Sequence, residues 1–428
     1  MGLLLEGGIV ITQDAQRRVV RGSVRMEDAR IAGVGDVPRE RGDDVLDCAG
    51  RLVLPGLVNL HTHTPMTLLR GYGDDRALED WLQNRIWPTE AKLTPATTRA
   101  GADLAMLEMI TSGTTSFSDM YFFTDEIARA AEQAGLRAWA GFPFLDVGTP
   151  ELKAEQMLPR GEAFIKRWLG HALVTPVVAP HATFTCGPAT LHAAGELAAR
   201  HGVLLHTHCS ETRQEVYDVE RTHGARPVAQ LAKHGCLTNR TILAHCGWIT
   251  KEEVRAIAAA GASVAHCPVS NLKLATGGFA PLPELLDAGV PVGLGTDGPA
   301  SNNTLDMVES MKFAALVHKH HRWDPTVIPA QTALDMATLH GARALGRSDL
   351  GSLEPGKLAD VVVLDARGPR MQPLHDPISQ VVYAARGADV ETVIVHGKPL
   401  MREGRVLTLN ADAVVRGAAA AAEALTRR

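Results

Sequence analysis

"PGLVNLHTHT", residues 55–64, opens on a turn, runs through Leu57-Val58-Asn59-Leu60 and stops at His61-Thr62-His63. Side chains alternate along a strand, so residues i and i+2 share a side. Both imidazoles can therefore face one way at the strand end, with Thr62 facing the other. Imidazole suits a borderline-soft divalent metal, and catalytic zinc sites leave one position open for water. Taken alone, an H-x-H is more often a core histidine beside a surface one. It gains meaning only if other strand ends supply further ligands.

Seven more apolar runs follow: "GTTSFSDM", "LRAWAGFPF", "LVTPVVAPH", "GVLLHTHCSE", "TILAHCGW", "ASVAHCPVSN" and "PVGLGTDGPAS". Stretches between them, such as 98–110, 124–135, 188–201 and 252–261, are rich in Ala, Leu, Glu and Arg. Alternating strands and helices imply a parallel sheet, and eight such units predict an α/β fold, the closed (β/α)8 TIM barrel. Polar chemistry stands at the C-terminal end of nearly every run: His61/His63, Asp119, His181, His208/Glu211, His245, His266 and Asp297. Barrel active sites lie at that face.

The flanks read differently. "GGIVIT", "GSVRMEDARIAGVGD" and "GRLVLPG" near the start, and "KLADVVVLD" and "VETVIVHGKPLMREGRVL" near the end, are short strands punctuated by Gly. They predict one small β-sandwich built from both ends: residues 1–56 as its first part, 57–350 as the barrel, 351–428 as its second part with a C-terminal helix. The "EPGK" turn at 354–357 lies near the second boundary.

The 428 residues exceed one ordinary core, but one barrel plus a small domain accommodates them. A formal net charge of -5 without a basic block argues against nucleic acid or anionic membrane as a partner. No apolar stretch approaches the roughly 18 residues of a membrane span. The six cysteines form no C-x-x-C pair and no secretory leader is evident, so free thiols in a reducing cytoplasm are expected.

His208, at the end of "VLLHTHCSE", is the third expected metal ligand, with His206 deeper, filling the barrel or hydrogen-bonding within it. Asp297, after "VGLG", is the fourth. Three His and one Asp leave room for a water whose pKa the metal lowers from about 15.7 to near 7. Glu211, three residues past His208, suits a proton shuttle beside the metal; with Ser210 it could instead cap a helix. His245 could be a fifth ligand, a hydrogen-bond donor to the metal-bound hydroxide or a core residue; the donor role is preferred. His266 has no evident role. Cys209, Cys246 and Cys267 each follow a strand-end histidine, so alternation turns them toward the helices as packed thiols.

As a set, these residues resemble the amidohydrolase superfamily with one metal. "PGLVNLHTHTPMTLLRG", "DWLQNRIWPTEAKL", "HTHCSET" and "GTDGPASNN" resemble its 5'-methylthioadenosine/S-adenosylhomocysteine deaminase family more closely. The resemblance implies that Trp81 and Glu90 line the substrate pocket, Glu90 accepting from the ribose hydroxyls, and that His181 and Ser301 also meet substrate. It implies hydrolytic deamination at C6 of adenine, giving the inosine analogue and ammonia, with Glu211, His245 and Asp297 as catalytic groups. It implies one divalent metal per subunit, Zn2+ by default with Fe2+ or Mn2+ compatible with the same donors, and a homodimer or homotetramer. Relatives that use S-adenosylhomocysteine place arginines after the third strand. Here Phe142, Pro143 and Phe144 stand where the first is sought, and Arg160 is the only Arg in the following loop. An apolar pocket favours a methylthio group over a zwitterion, so 5'-methylthioadenosine is expected ahead of adenosine and S-adenosylhomocysteine. The alternatives are an aminohydrolase of the same scaffold acting on guanine, cytosine or triazine rings, and a non-catalytic protein that has kept the fold.

Overall fold

A computed structural model describes residues 2–427. The N-terminal strands are β1 (Leu3–Ile11), β2 (Val19–Glu27), β3 (Arg30–Gly35), β4 (Asp44–Asp47) and β5 (Arg51–Pro55). The barrel strands are β6 (Leu57–Thr62), β7 (Thr114–Met120), β8 (Arg137–Phe144), β9 (Val174–Pro180), β10 (Leu204–Cys209), β11 (Thr241–His245), β12 (Ser263–His266) and β13 (Val292–Leu294). Four more complete the chain: β14 (Val361–Asp365), β15 (Val390–Val395), β16 (Lys398–Arg402) and β17 (Arg405–Val406).

Strands β6 to β13 pair in parallel with their sequence neighbours, and each corresponds to one of the eight apolar runs. Helices cover their outer faces, which is why the runs read as almost unbroken apolar stretches. The seam between β13 and β6 is bridged by the Asp297 amide donating to the His61 carbonyl at 2.9 Å. The Asn59 side chain reinforces it, donating to Thr296 Oγ1 at 2.7 Å and accepting from the Thr296 amide at 3.1 Å. A Cβ at Gly295 would stand 2.9 Å from the His61 carbonyl oxygen, so the approach requires glycine there.

The terminal strands form a second, nine-stranded sheet in the order β17-β16-β15-β14-β5-β1-β2-β3, with β4 beside β1. Strand β1 pairs with β4 through Leu3–Glu6 and with β5 through Ile9 and Val10, changing partners near an irregularity between Leu5 and Gly8. Strands β5 and β14 join the two chain ends antiparallel, with Val53 opposite Val363. This sheet has its own core of Leu5, Val24, Met26, Ile31, Val361 and Ile394, among others. The helix Ala411–Thr426 packs instead on a barrel helix, Pro95–Thr111.

A buried ion pair ties sheet to barrel. Arg137, the first residue of β8, donates to both oxygens of Asp360 at 2.7 and 3.1 Å, and to the Ala172 carbonyl at 3.3 Å. Asp360 also accepts from the His396 amide at 2.9 Å. No helix among the described residues is long and apolar enough to cross a membrane. All six cysteines are free and buried.

Candidate metal centre and its surroundings

The C-terminal ends of the barrel strands bring His61, His63, His208 and Asp297 together, each offering one ligand atom within 4.8 Å of the others. Nε2 of His63 lies 3.2 Å from Nε2 of His208 and 3.2 Å from Oδ1 of Asp297; Nε2 of His61 lies 3.3 Å from the same Oδ1. The other ring nitrogens fix what these atoms can do. His63 Nδ1 donates to the Met120 carbonyl at 2.6 Å and His208 Nδ1 to the His181 carbonyl at 2.8 Å. His61 Nδ1 lies 3.0 Å from His206 Nε2, and His206 Nδ1 3.0 Å from Ser118 Oγ; with the His206 proton on Nδ1, His61 is the donor to His206. In each neutral ring the lone pair is therefore left on Nε2, facing the centre.

Two lone pairs 3.2 Å apart repel unless a positive charge stands between them. His61 Nε2 is buried with no hydrogen-bond partner. Asp297 Oδ2 accepts from Ser270 Oγ at 2.6 Å and Ser301 Oγ at 2.7 Å, leaving Oδ1 for the histidines. Three inward imidazole nitrogens and one carboxylate oxygen fit a divalent metal, with outer partners fixing each ligand. The electrostatics of the bare chain agree. Burial holds His61 down to about 3. Burial acts on His63 in the same sense, but the Asp297 carboxylate and the Met120 carbonyl overcome it and push His63 up to about 9. Burial opposes ionisation of Asp297 too, yet His61 and His63 hold it well below the ordinary carboxylate range. A proton on His63 thus serves where a metal would.

Glu211 stands beside this group, its Oε2 3.8 Å from His245 Nε2. Burial raises its pKa and Asp297 adds to the rise, against lowering by His245 and His63. Asn271 Nδ2 donates to His245 Nδ1 at 3.1 Å, which leaves the ring proton on the side of Glu211. The Ser210–Glu211 turn is held by Glu215, whose carboxylate accepts from both amides at 3.0 and 2.7 Å. Burial and the charge of Glu211 push Glu215 up to about 7. Ser210, His245, Cys246 and Asp297 all have left-handed backbone (φ 50, 71, 55 and 64°). Strain of this kind in non-glycine residues collects at functional sites.

The remaining predicted residues flank the group. Glu90 and Trp81 are buried, and Tyr121 Oη donates to Glu90 Oε1 at 2.6 Å. The Tyr121 ring centroid lies 6.1 Å from that of His63, which places Glu90 on the His63 side. His181 stacks edge-on to His208 at 4.7 Å, its Nδ1 2.8 Å from Thr185 Oγ1. Burial holds His181 down to about 4. The Ser301 hydroxyl is engaged by Asp297.

Several expectations change. The helix after Glu211 begins at Arg213, and its N-cap is Thr212, whose side chain accepts from the Glu215 amide; Ser210 and Glu211 precede it. Cys267 does not turn outward: its Sγ lies within 4.8 Å of ligand atoms of His61 and His245. His266 faces His318, Nε2 to Nε2 at 3.1 Å. Phe142 and Phe144 pack outward on the helix Ala154–Trp168, with Phe164 5.8 Å from Phe142 and Gly161 against both rings, so they do not wall the mouth. Arg160 is exposed on that helix. Sequence reading gave no role to Asp119, Tyr121, Glu215, Ser270 or Asn271. Asp119 accepts from the Thr64 amide at 2.6 Å, and burial pushes it up to about 6. Ser270 and Asn271 stand in "HCPVSN", where the signal was a polar pair just past a strand end.

Residues 52–400 match the amidohydrolase family. The chain is 46% identical to the 5-methylthioadenosine/S-adenosylhomocysteine deaminase of Thermococcus kodakarensis, over 94% of each chain. It is 46% identical to the 5'-deoxyadenosine deaminase of Methanothermobacter thermautotrophicus, over 95% of each. Among solved structures it resembles a zinc-bound adenosine deaminase from Xanthomonas campestris, with a TM-score of 0.96 and 37% identity, covering 99% of this chain and 98% of that one.

Proposed function

The chain belongs to the amidohydrolase family, and from that premise we propose that it hydrolyses the adenine C6 amino group of 5'-methylthioadenosine, and of adenosine and S-adenosylhomocysteine, to the inosine analogue and ammonia. It is a hydrolase acting on a C–N bond. The observation that carries this reading is the inward convergence of three Nε2 lone pairs and Asp297 Oδ1 with the protonatable Glu211 beside them. His61, His63, His208 and Asp297 hold one divalent metal, Zn2+ by ligand type. When bound there, such an ion lowers the pKa of water from about 15.7 to near 7 and so supplies a nucleophile at neutral pH.

The chain's own groups do the rest. Glu211, its carboxyl raised by burial, keeps a proton closer to neutral pH than an exposed carboxyl would. It delivers that proton to the ring nitrogen next to C6, cancelling the charge that builds there as C6 becomes tetrahedral. His245, held by Asn271, directs its Nε2 proton toward the same space and orients the attacking water. Asp297, with Oδ2 fixed by two serines, accepts one proton of the water and passes it to the departing amino group, while the second returns to Glu211 as the C6 carbonyl forms. Glu90 accepts from the ribose hydroxyls: Tyr121 engages Oε1, and Oε2 is left for substrate. Trp81, His181 and Ser301 complete the pocket.

The 5' substituent decides among substrates. With Arg160 exposed, that segment offers no buried guanidinium to the carboxylate of S-adenosylhomocysteine. The preferred substrate is 5'-methylthioadenosine, with adenosine and S-adenosylhomocysteine weaker. Ammonia release should be measured over these nucleosides, 5'-deoxyadenosine, guanine, cytosine and a chlorotriazine, with metal content on the same sample. One ammonia per methylthioadenosine is expected. A metal-loaded sample that leaves every adenine nucleoside intact overturns the reading.

A further inference from the structure

Away from the reacting centre, three loops of the barrel mouth meet at one ammonium group. Lys273 ends the short helix Pro268–Lys273. Its Nζ donates to Asp74 Oδ1 at 2.8 Å, to the Ala300 carbonyl at 3.1 Å and to Asn303 Oδ1. Asn303 Nδ2 turns back to Asp74 Oδ2 at 2.8 Å, so both oxygens of Asp74 are engaged. The two charged side chains are only 23% and 28% exposed. At that burial a charge-assisted pair is screened less than on an open surface, and a lost partner is felt.

Each loop carries a different part of the proposed site. Asp74 lies on the segment leaving β6, which goes on to Trp81 and Glu90. Lys273 closes the helix whose Ser270 and Asn271 hold Asp297 and His245. Ala300 and Asn303 lie on the loop that carries Asp297 and Ser301. The first segment reaches the knot through Gly71 and Gly73, both left-handed (φ 73 and 89°), a backbone that side chains rarely adopt and a natural pivot.

We propose that Lys273 is a positioning residue for nucleoside binding: the Asp74–Lys273–Asn303 knot latches segment 71–90 to the rim and so places Trp81 and Glu90 against the ribose. The inference rests on the reading of the site as a nucleoside deaminase. Lys273 touches none of the proposed metal ligands, so its loss should weaken substrate placement while leaving the metal in place.

The test substitutes Lys273→Met, which keeps the apolar stem and removes the charge. KM for 5'-methylthioadenosine should rise about tenfold, the scale of one lost charged hydrogen bond, with kcat within about twofold. Metal content should be unchanged. Amide hydrogen exchange should quicken over 71–90 and stay constant in β10 and β11. A merely structural role would instead lower kcat and melting temperature together with KM unmoved, and that result overturns the proposal, as does wild-type KM with wild-type exchange over 71–90. If Lys273→Met does not fold, Asp74→Asn carries the same readouts. The Asp74→Lys/Lys273→Asp exchange should recover part of the KM lost in Lys273→Asp alone. Should the wild-type enzyme deaminate no nucleoside, the functional reading falls by itself, and the exchange data still decide whether the latch exists.

Discussion

Two groups of buried charge stand at opposite ends of the barrel strands, and they are finished to different degrees. At the N-terminal end, Arg137 and Asp360 satisfy each other with two parallel hydrogen bonds, and the Ala172 carbonyl and His396 amide engage what is left. At the C-terminal end, His61, His63, His208 and Asp297 turn their free atoms toward one point and leave His61 Nε2 without a partner. A closed set of donors and acceptors holds a structure together. An open set awaits something from outside the chain. The difference in saturation, more than the presence of charge, separates scaffold from site.

The sharpest way to break this contrast is to remove a member of the open set. Asp297→Ala should lose metal and lower turnover by at least about 10^4-fold, with the fold kept, as metal analysis and circular dichroism on one sample will check. Glu211→Gln should keep the metal and lose about 10^3-fold in kcat; full activity would remove Glu211 from the mechanism. The closed set should answer in the other currency. Arg137→Met leaves Asp360 buried and unpaired and should cost about 3–5 kcal/mol of stability in denaturant unfolding, with kcat per folded molecule unchanged. The smallest effect is in protons. In the metal-free chain the folded pKa of His63 lies near 9, above the ordinary 6.5, so at pH 7 the ring is charged and must discharge to bind a metal. Loading at pH 7 should release the His63 proton and, with a bound-water pKa near 7, about half a proton more, measured by titration calorimetry in buffers of different ionisation enthalpy. The His63 share of the release should fade above pH 9, leaving the proton of the bound water, and apparent affinity should fall as pH drops below 9.

Much of the open set was legible because strand periodicity does the work. His61 and His63 share a side by alternation, and His208 and Asp297 end their own apolar runs. The fold followed from counting those runs. What stayed hidden depends on loops and on which way a side chain leaves a strand. Phe142 and Phe144 face the outer helix because β8 is buried on both sides, and an apolar run does not say which residue faces which. Cys267 breaks alternation because β12 ends at His266 and the chain has already begun to turn. Glu215 reaches back to two amides across a turn whose left-handed Ser210 has no sequence signature. Trp81 and Glu90 came from resemblance alone, since the segment carrying them has no period that a strand or long helix would impose.

The antiparallel pairing of β5 with β14 sets an order of events during synthesis. Strands β1 to β5 pair among themselves, but the outer edge of β5 has no partner until β14, which begins at Val361, has left the ribosome. That edge of β5 must therefore wait with exposed backbone amides and carbonyls, the arrangement most prone to pairing with the wrong neighbour. Closure of this sheet is accordingly a step that β14 licenses, and a message truncated before Val361 would leave that edge of β5 unpaired.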